Sequence, residues 1–116
     1  MSGPANRVCL EGQVVGAPDE RWTPAGLPLV RFELEHWSRA VEAGLERAVG
    51  CRMTVAALGE ELAGCARTLA PGDSCRVEGF LAQRVRRRQG EETLFGRLEL
   101  HAETLGPGEG PQATTE

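Results

Sequence analysis

The most distinctive chemistry in this 116-residue sequence is a cluster of guanidinium groups. Residues 84–97 contain five arginines and two glutamates, a net charge of +3, whereas the rest of the chain contains eight arginines and fifteen acids, a net charge of −7. Guanidinium groups pair with phosphates and stack on bases. Because positive charge is gathered at one place in an acidic chain, the sequence indicates a local site for an anion. The clustered arginines are Arg84, Arg86, Arg87, Arg88 and Arg97.

Residue types that support catalysis are present without the spacing that catalysis requires. No nucleophile has a base partner, no glycine-rich loop has the spacing that cradles a phosphate, and no pair of carboxylates has a spacing that demands chemistry. His36 and His101 each stand alone in the sequence, and we predict a hydrogen-bonded structural role for His36. We therefore predict no enzyme activity, no catalytic residue and no cofactor.

Four cysteines lie at positions 9, 51, 65 and 75 and form no C-x-x-C pair. Structural zinc sites usually contain such close pairs, so a zinc site that combines these thiols with a histidine is the weaker interpretation. We predict no metal site. We expect free thiols that pack as small apolar residues in a reducing compartment, with Cys51 and Cys75 in the apolar phase of their strands.

Hydrophobic periodicity predicts five strands and one short helix. Residues 62–69 have the spacing of a helix, with a loop as the alternative. Residues 16–28, rich in Gly and Pro, predict a turn or loop, and residues 38–47 fit either a helical turn or a long hairpin loop. Gly79 inside the fourth strand predicts a bulge or a sharp bend. The predicted strands are residues 7–15, 30–37, 48–57, 74–83 and 93–105.

This order of elements predicts an all-β protein built as a partly open five-stranded barrel. Three strands, a short helix or loop and two further strands is the order of the oligonucleotide-binding (OB) fold. The arginine cluster then lies between strands 4 and 5, in a loop with which such barrels bind single-stranded nucleic acid. We predict one domain over residues 1–105 and a disordered tail over residues 106–116.

The sequence contains no sign of a membrane segment or an export signal. No apolar run approaches the roughly 20 residues that a bilayer span requires. Residues 1–7 lack the charged start and the following apolar stretch of a signal peptide. We therefore expect a cytoplasmic protein without membrane contact.

Short motifs form a pattern that covers nearly the whole chain except the tail. They are N-R-x-x-L-x-G-x-V at residues 6–14, A-P at 17–18, P-x-G-x-P at 24–28, F-x-L-E-H at 32–36, E-A-G at 42–44, C-x-M at 51–53, G-F at 79–80 and L-H-A-E at 100–103. In this pattern the sequence resembles the family of primosomal replication protein N (PriB), a branch of the bacterial single-stranded-DNA-binding proteins. The F-x-L-E-H and L-H-A-E motifs together make the resemblance specific.

The resemblance implies a function as well as a fold. It implies an OB-fold homodimer that acts in DNA replication restart and has no catalytic residues. The implied partners are single-stranded DNA, the restart helicase PriA, which the family stabilises on forked DNA, and other primosome proteins on the way to loading of the replicative helicase.

The resemblance also implies a set of DNA-binding residues. The family commonly has a base-stacking tryptophan just before the cysteine of the third strand, where this chain has Gly50. Trp37, on the outward phase of strand 2, is a candidate replacement, and so is Trp22, for which a hydrophobic loop anchor is the alternative. Phe80 is a further candidate for base stacking, although Phe80 and Phe95 also fit core or rim packing. The predicted DNA-binding residues are Arg21, Trp37, Arg84, Arg86, Arg87, Arg88 and Arg97.

Two other functions fit part of the sequence. Gly50 and the overall acidity favour a protein-bridging module of the replication machinery with weak or lost DNA binding. A general single-strand-binding protein usually ends in an acidic tail with an apolar tip. Residues 106–116 contain two acids and no such tip, so this second alternative is less favoured.

Overall fold

The computed structural model describes residues 3–87, 90 and 92–109, which form five strands and one helix. The predicted order of three strands, a short helix and two strands is confirmed. Arg88 of the predicted site lies outside the described residues, as do residues 110–116 of the predicted tail. The elements are β1 (Val8–Trp22), β2 (Pro28–Glu42), β3 (Leu45–Leu58), α1 (Glu60–Arg67), β4 (Ser74–Arg87) and β5 (Thr93–Pro107).

The five strands close into a barrel in the order β1-β2-β3-β5-β4, which confirms the predicted OB-type architecture, although the barrel is closed rather than partly open. Neighbouring strands are antiparallel except β3 and β5, which run parallel from Thr54 opposite Glu99 to Ala56 opposite His101. Alternate side chains of each strand point inward, where they form one core with α1. The core strand residues are Val14, Val30, Phe32, Leu34, Val55, Ala57, Cys75, Val77, Leu100 and Ala102.

The first strand bends so that it can pair with two neighbours. Val8–Gln13 pairs with β4, and the strand pairs with β2 from Gln13 to Trp22. The register against β2 shifts between Val15 and Asp19, a segment that includes Gly16, where φ is +75°. Pro18 has no N–H to donate, and it lies where the ladder is interrupted. The prediction of a loop over residues 16–28 is therefore wrong for residues 16–22. Gly and Pro mark a bulge there rather than the end of the strand.

The hairpin formed by β2 and β3 is longer than the sequence predicts. The two strands stay paired from Leu29 opposite Leu58 to Glu42 opposite Leu45. Only Ala43 and Gly44 connect them, with φ of 51° and 78°, which is typical of the two-residue turn of a tight hairpin. Of the two interpretations of residues 38–47, the helical turn is wrong. The hairpin is present, but its strands continue to a tight turn instead of opening into a loop.

The short helix α1 packs onto the barrel through small side chains. Ala63 and Ala66 are fully buried in the core, and Leu62 and Leu69 pack partly against it. Cys65 is exposed, although the predicted apolar stripe includes it. The methyl side chains allow the helix to approach the strands closely, so α1 covers the end of the barrel at which β3 finishes.

The cysteines are all free, but only Cys75 is buried as predicted, whereas Cys9, Cys51 and Cys65 are exposed. Cys75 is buried, and desolvation by burial together with the nearby Asp73 charge raises its pKa to about 11. Cys51 is exposed, because this part of β3 lies beyond its pairing with β5. Burial is therefore confirmed for Cys75 and wrong for Cys51. Among the residues that the structure describes, no cluster of His, Cys, Asp and Glu could hold a metal ion.

The C-terminal strand continues slightly beyond the predicted domain boundary. β5 ends at Pro107, and the Gly108 N–H donates to the Ser74 carbonyl at 3.3 Å. The Glu109 N–H then donates to the Glu11 carboxylate at 3.0 Å. Residues 106–109 are thus attached to the barrel rather than part of a tail.

In the described residues no helix is long and apolar enough to cross a membrane.

Candidate nucleic-acid interface

Two hairpins extend from the same end of the barrel. Because β3 and β5 are parallel and their pairing starts at Thr54 and Glu99, the preceding segments of both strands extend in one direction. There β3 is still paired with β2, and β5 is still paired with β4. We call residues 37–50 the β2–β3 arm, and the described residues 83–87 and 92–98 the β4–β5 arm. Since α1 follows the opposite end of β3, it lies away from the arms.

The outer face of the sheet next to the arms is crossed by side-chain bonds. Thr54 donates to Glu33 at 2.5 Å, and Arg31 reaches over β3 to bind Glu99, with its Nε atom 2.8 Å from Oε2. Thr54 is buried by these contacts although it points outward. The charges in this part of the outer face are therefore compensated within the protein.

A β-bulge decides which arginines of the β4–β5 arm share a face. The register of the two strands shifts within the arm, so that Arg84 of β4 lies opposite both Gly96 and Arg97 of β5. The two bulge residues, Gly96 and Arg97, then lie on the same face of the arm as Arg84. Arg86 lies on that face too, because alternate residues of a strand share a face. The side chain of Gln83 donates to the Gly96 carbonyl at 2.7 Å, which fixes the bulge.

This face of the arm continues the outer face of the barrel. Ala82 pairs with Glu99, and Arg84 and Arg97 each lie two residues from that pair along their own strands. Arg84 and Arg86 also line a hollow of about 150 Å³ with Leu94, Phe95 and Gly96. The outer face of the arm thus consists of Arg84, Arg86, Leu94, Gly96 and Arg97. Arg87 lies on the opposite face, since it alternates with Arg86.

The arginines of the β4–β5 arm have no acidic partners among the residues that the structure describes. Arg84, Arg86, Arg87 and Arg97 are exposed, and none of their guanidinium groups forms an ion pair or a hydrogen bond there. On the barrel, by contrast, arginines bind carboxylates. Their pairs are Arg31–Glu99 at 2.8 Å, Arg52–Glu35 at 2.8 Å, Arg67–Glu20 at 2.5 Å and Arg76–Glu11 at 2.8 Å. The arm therefore keeps its positive charge for an external anion.

Trp37 lies across the β2–β3 arm on top of Gly50. The two residues are directly paired, and a Cβ atom added to Gly50 would lie 2.6 Å from the indole Cη2 atom and closer still to two other ring atoms. The indole N–H donates to Glu35 at 2.9 Å, and Glu35 also accepts from Arg52 at 2.8 Å. These two hydrogen bonds lower the pKa of Glu35, Trp37 contributing most. Gly50 and Glu35 thus fix the position of the ring on the outer face.

Arg21 and Trp22 lie far from these residues. Trp22 pairs with Pro28 at the start of β2, whereas Trp37 is nine residues further along that strand. At ~3.3 Å per residue this separation is roughly 30 Å. The Nε of Arg21 is also 3.1 Å from the Asp19 carboxylate, which offsets part of its charge. The structure therefore does not bring Arg21 and Trp22 together with the arginines of the β4–β5 arm.

Phe80 and Phe95 differ in burial, although core or rim packing was one interpretation of both. Phe80 is partly buried and stacks on His101, with ring centroids 5.5 Å apart and an interplanar angle of 17°. Phe95, for which core or rim packing was one alternative, is 65% exposed on the β4–β5 arm. Strict alternation from Leu98 and Leu100 places Phe95 in the phase opposite to the core, and only the bulge between Leu98 and Phe95 reverses this.

Comparison with known proteins agrees with this geometry. Residues 6–103 match the model of a family described as another single-strand binding protein family. A replication restart protein PriB from Erwinia tasmaniensis is 38% identical over 101 residues, which are 87% of this chain and 91% of the relative. The chain belongs to the PriB family of single-strand binding proteins.

Solved structures extend the comparison to the fold of this family. The structure of PriB from Ralstonia solanacearum has a TM-score of 0.71 and 26% sequence identity. The match covers 91% of this chain and 100% of that chain. A deletion mutant of the single-stranded DNA binding protein from Thermus aquaticus has a TM-score of 0.72 and 30% identity, covering 91% of this chain and 51% of that one. Both support the OB-type barrel.

Proposed function

We propose that this protein binds single-stranded DNA during DNA replication restart, through the outer face of the β4–β5 arm together with Trp37. The observation that carries the proposal is the group of exposed arginines, Arg84, Arg86 and Arg97, on one face without acidic partners in the described residues. Guanidinium groups bind the phosphates of a flexible strand, and an indole offers a stacking surface to its bases. Relatives named replication restart protein PriB support the cellular role.

The role is one of binding and assembly rather than catalysis. We propose that the protein stabilises the restart helicase PriA on DNA and helps to assemble the primosome in the cytoplasm. The two projecting arms favour this role, because they contact DNA at one end of the barrel while the surface around α1 stays accessible to a protein. Arg87 extends the positive charge along the arm. Arg88, outside the described residues, follows it in the sequence.

We also propose that the protein is a homodimer, and one strand edge supports this. Val8–Gln13 of β1 pairs with β4, but β1 pairs with β2 only from Gln13 onward. The second edge of residues 8–12 therefore has no strand beside it in the described residues. An open edge of this kind can pair with the same edge of a second copy. Light scattering after gel filtration tests the mass.

A salt-dependent titration tests DNA binding. Anisotropy of a labelled oligothymidine should report binding whose log affinity falls by about 0.7 per log unit of salt for each phosphate contacted, or roughly 2 for three contacts. A duplex of the same length should bind more weakly, because its bases cannot stack on Trp37. No binding even at low salt would overturn the proposal.

A protein-bridging module is the second candidate, and Gly50 is the observation that favours it. Its test is whether labelled oligonucleotide and PriA bind this protein together. Helicase binding without any DNA binding would support the bridge, whereas a ternary complex that requires Arg84 and Arg86 would support the first proposal.

A further inference from the structure

The inward-phase face of the β4–β5 arm is apolar and exposed. Val85 and Phe95 are directly paired on this face, and Leu98, which pairs with Gln83, lies on it at the rim of the barrel. Their exposed fractions are 57%, 65% and 43%. Arg87 lies on the same face, two residues beyond Val85. The outer face carries Arg84, Arg86 and Arg97. Phe95 also lines the hollow that Arg84 and Arg86 border, so the two faces meet at this residue.

The position of the arm explains why this face is not covered by the core. Leu81 and Leu100 have the same inward phase, and Leu100 is fully buried inside the barrel. β3 stops pairing with β5 at Glu99, so the sheet no longer curls around the residues that precede it. The same side-chain phase that produces a core in the barrel therefore produces an exposed aromatic surface on the arm.

The charge of the arm indicates what can cover this surface. The arm, residues 83–87 and 92–98, includes four arginines and one carboxylate, that of Glu92. An apolar protein surface would have to approach these guanidinium groups without neutralising them. This face needs a ligand that neutralises the arginines and also covers the apolar side chains. A single-stranded nucleic acid does both, since its phosphates pair with arginine and its bases stack on aromatic rings.

We infer that this second face of the β4–β5 arm binds single-stranded nucleic acid, with the Phe95 ring as a base-stacking platform and Arg87 as its phosphate partner. This inference rests on the proposed function and deepens it, because the strand then contacts both faces of the arm. Val85 borders the ring and supplies apolar contact to the edge of the stacked base.

Phe95→Leu tests the stacking role, because it keeps an apolar side chain of similar size and removes only the aromatic face. Loss of one stacked base should weaken oligonucleotide binding about 5- to 100-fold, with the salt slope unchanged. Arg87→Gln should instead lower the salt slope by about 0.7. Leu27→Ala is the matched control: Leu27 is 43% exposed in the turn between β1 and β2, at the other end of the barrel, and its removal should not change affinity.

Photo-crosslinking gives a direct readout. An oligonucleotide that carries 5-iodouracil should crosslink to the peptide of residues 89–97 released by trypsin, in which Phe95 is the only aromatic residue. Absence of this crosslink, together with an unchanged affinity of the Phe95→Leu protein, would overturn the inference. The proposed function would still hold in that case if the wild-type protein binds the oligonucleotide. A Phe95→Leu protein that loses its oligomeric mass but keeps its DNA affinity would identify the face as a protein interface, which also overturns it. If the wild-type protein binds no oligonucleotide, both proposals fail.

Discussion

The barrel and the β4–β5 arm use the same residue type in opposite ways. On the barrel, Arg31, Arg67 and Arg76 bind carboxylates from distant parts of the chain. On the arm, Arg84 and Arg86 are exposed and have no acidic partner in the described residues. Apolar residues differ in the same way, since Leu34 is fully buried in the barrel and Phe95 is exposed on the arm.

This difference shows why an acidic protein can bind a polyanion. Many carboxylates of the chain serve as partners for barrel arginines, so their charge is compensated locally. Screening limits the reach of the remaining charges to about 8 Å at physiological salt. A ligand at the arm therefore encounters the local positive charge rather than the net charge of −4.

The largest expected effect concerns packing. Leu34→Ala removes a fully buried side chain and should lower the free energy of unfolding by about 2–5 kcal/mol. Val85→Ala on the arm, where the side chain is 57% exposed, should change it by less than about 1 kcal/mol. Urea denaturation followed by circular dichroism measures both. Equal losses would show that the arm is part of the same packed unit as the barrel.

The next effect concerns charge. Arg84→Glu with Arg86→Glu should weaken oligonucleotide binding by about 30-fold or more and reduce the salt slope by about 1.4, because two phosphate contacts are lost. The matched control reverses two barrel arginines, Arg67→Glu with Arg76→Glu. This control changes the net charge equally and should leave affinity within about threefold, because surface ion pairs contribute little to a distant site. Equal losses in the two proteins would mean that net charge, and not the arm, determines binding.

A smaller effect is expected where the barrel meets the interface. Gly50→Ala places a methyl group against the indole of Trp37, so the ring must move from its position. We expect an altered emission of Trp37 in a Trp22→Phe background, and a loss of affinity of up to about tenfold, part of the value of one stacked base. Gly106→Ala is the control, since an added Cβ there meets nothing within 4 Å. Unchanged emission and affinity would show that this position of the ring is irrelevant to binding.

The smallest effect is a pH dependence of the same ring. Hydrogen bonds from Trp37 and Arg52 lower the pKa of Glu35 below 4.5. The stabilisation that they give is therefore present above about pH 4.5 and is lost as the pH falls through the lowered pKa of the folded protein. Trp37 emission in the Trp22→Phe background should stay constant from neutral pH down through the ordinary pKa of a glutamate, and should change only as the pH falls through the lowered pKa of Glu35. Glu35→Ala should remove this transition, and a transition that persists in it must come from another group.

Much of the fold could be predicted because it depends on local patterns. Period-two alternation identified all five strands, and the helix was placed between β3 and β4. Gly79 was predicted to mark a bulge or sharp bend, and the register of β4 against β5 does shift beside it. The strand lengths were underestimated, because Gly16 and Pro18 resemble a loop in sequence and only pairing with β2 keeps them within a strand.

The candidate site was predicted in part. The arginine cluster and the outward phase of Trp37 follow from the residues themselves. The contact of Trp37 with Gly50 depends on the register of β2 against β3, which a long hairpin fixes only after it has formed. Phe95 was not assigned to the site, because period-two counting back from Leu100 and Leu98 places it in the phase opposite to the core. Only the bulge between Leu98 and Phe95 shows that it faces the same way as Val85.

The sequence alone determined that positive charge is concentrated between the last two strands and that the chain builds a small barrel, because both are encoded in neighbouring residues. Only the tertiary structure decided which charges remain available. Arg31 and Glu99 are separated by 68 positions and meet across β3, whereas no described carboxylate forms an ion pair with an arginine of the β4–β5 arm. Closure of the barrel brings distant side chains together within its walls, and the arm extends beyond those walls, so its arginines and its exposed ring stay accessible to a ligand.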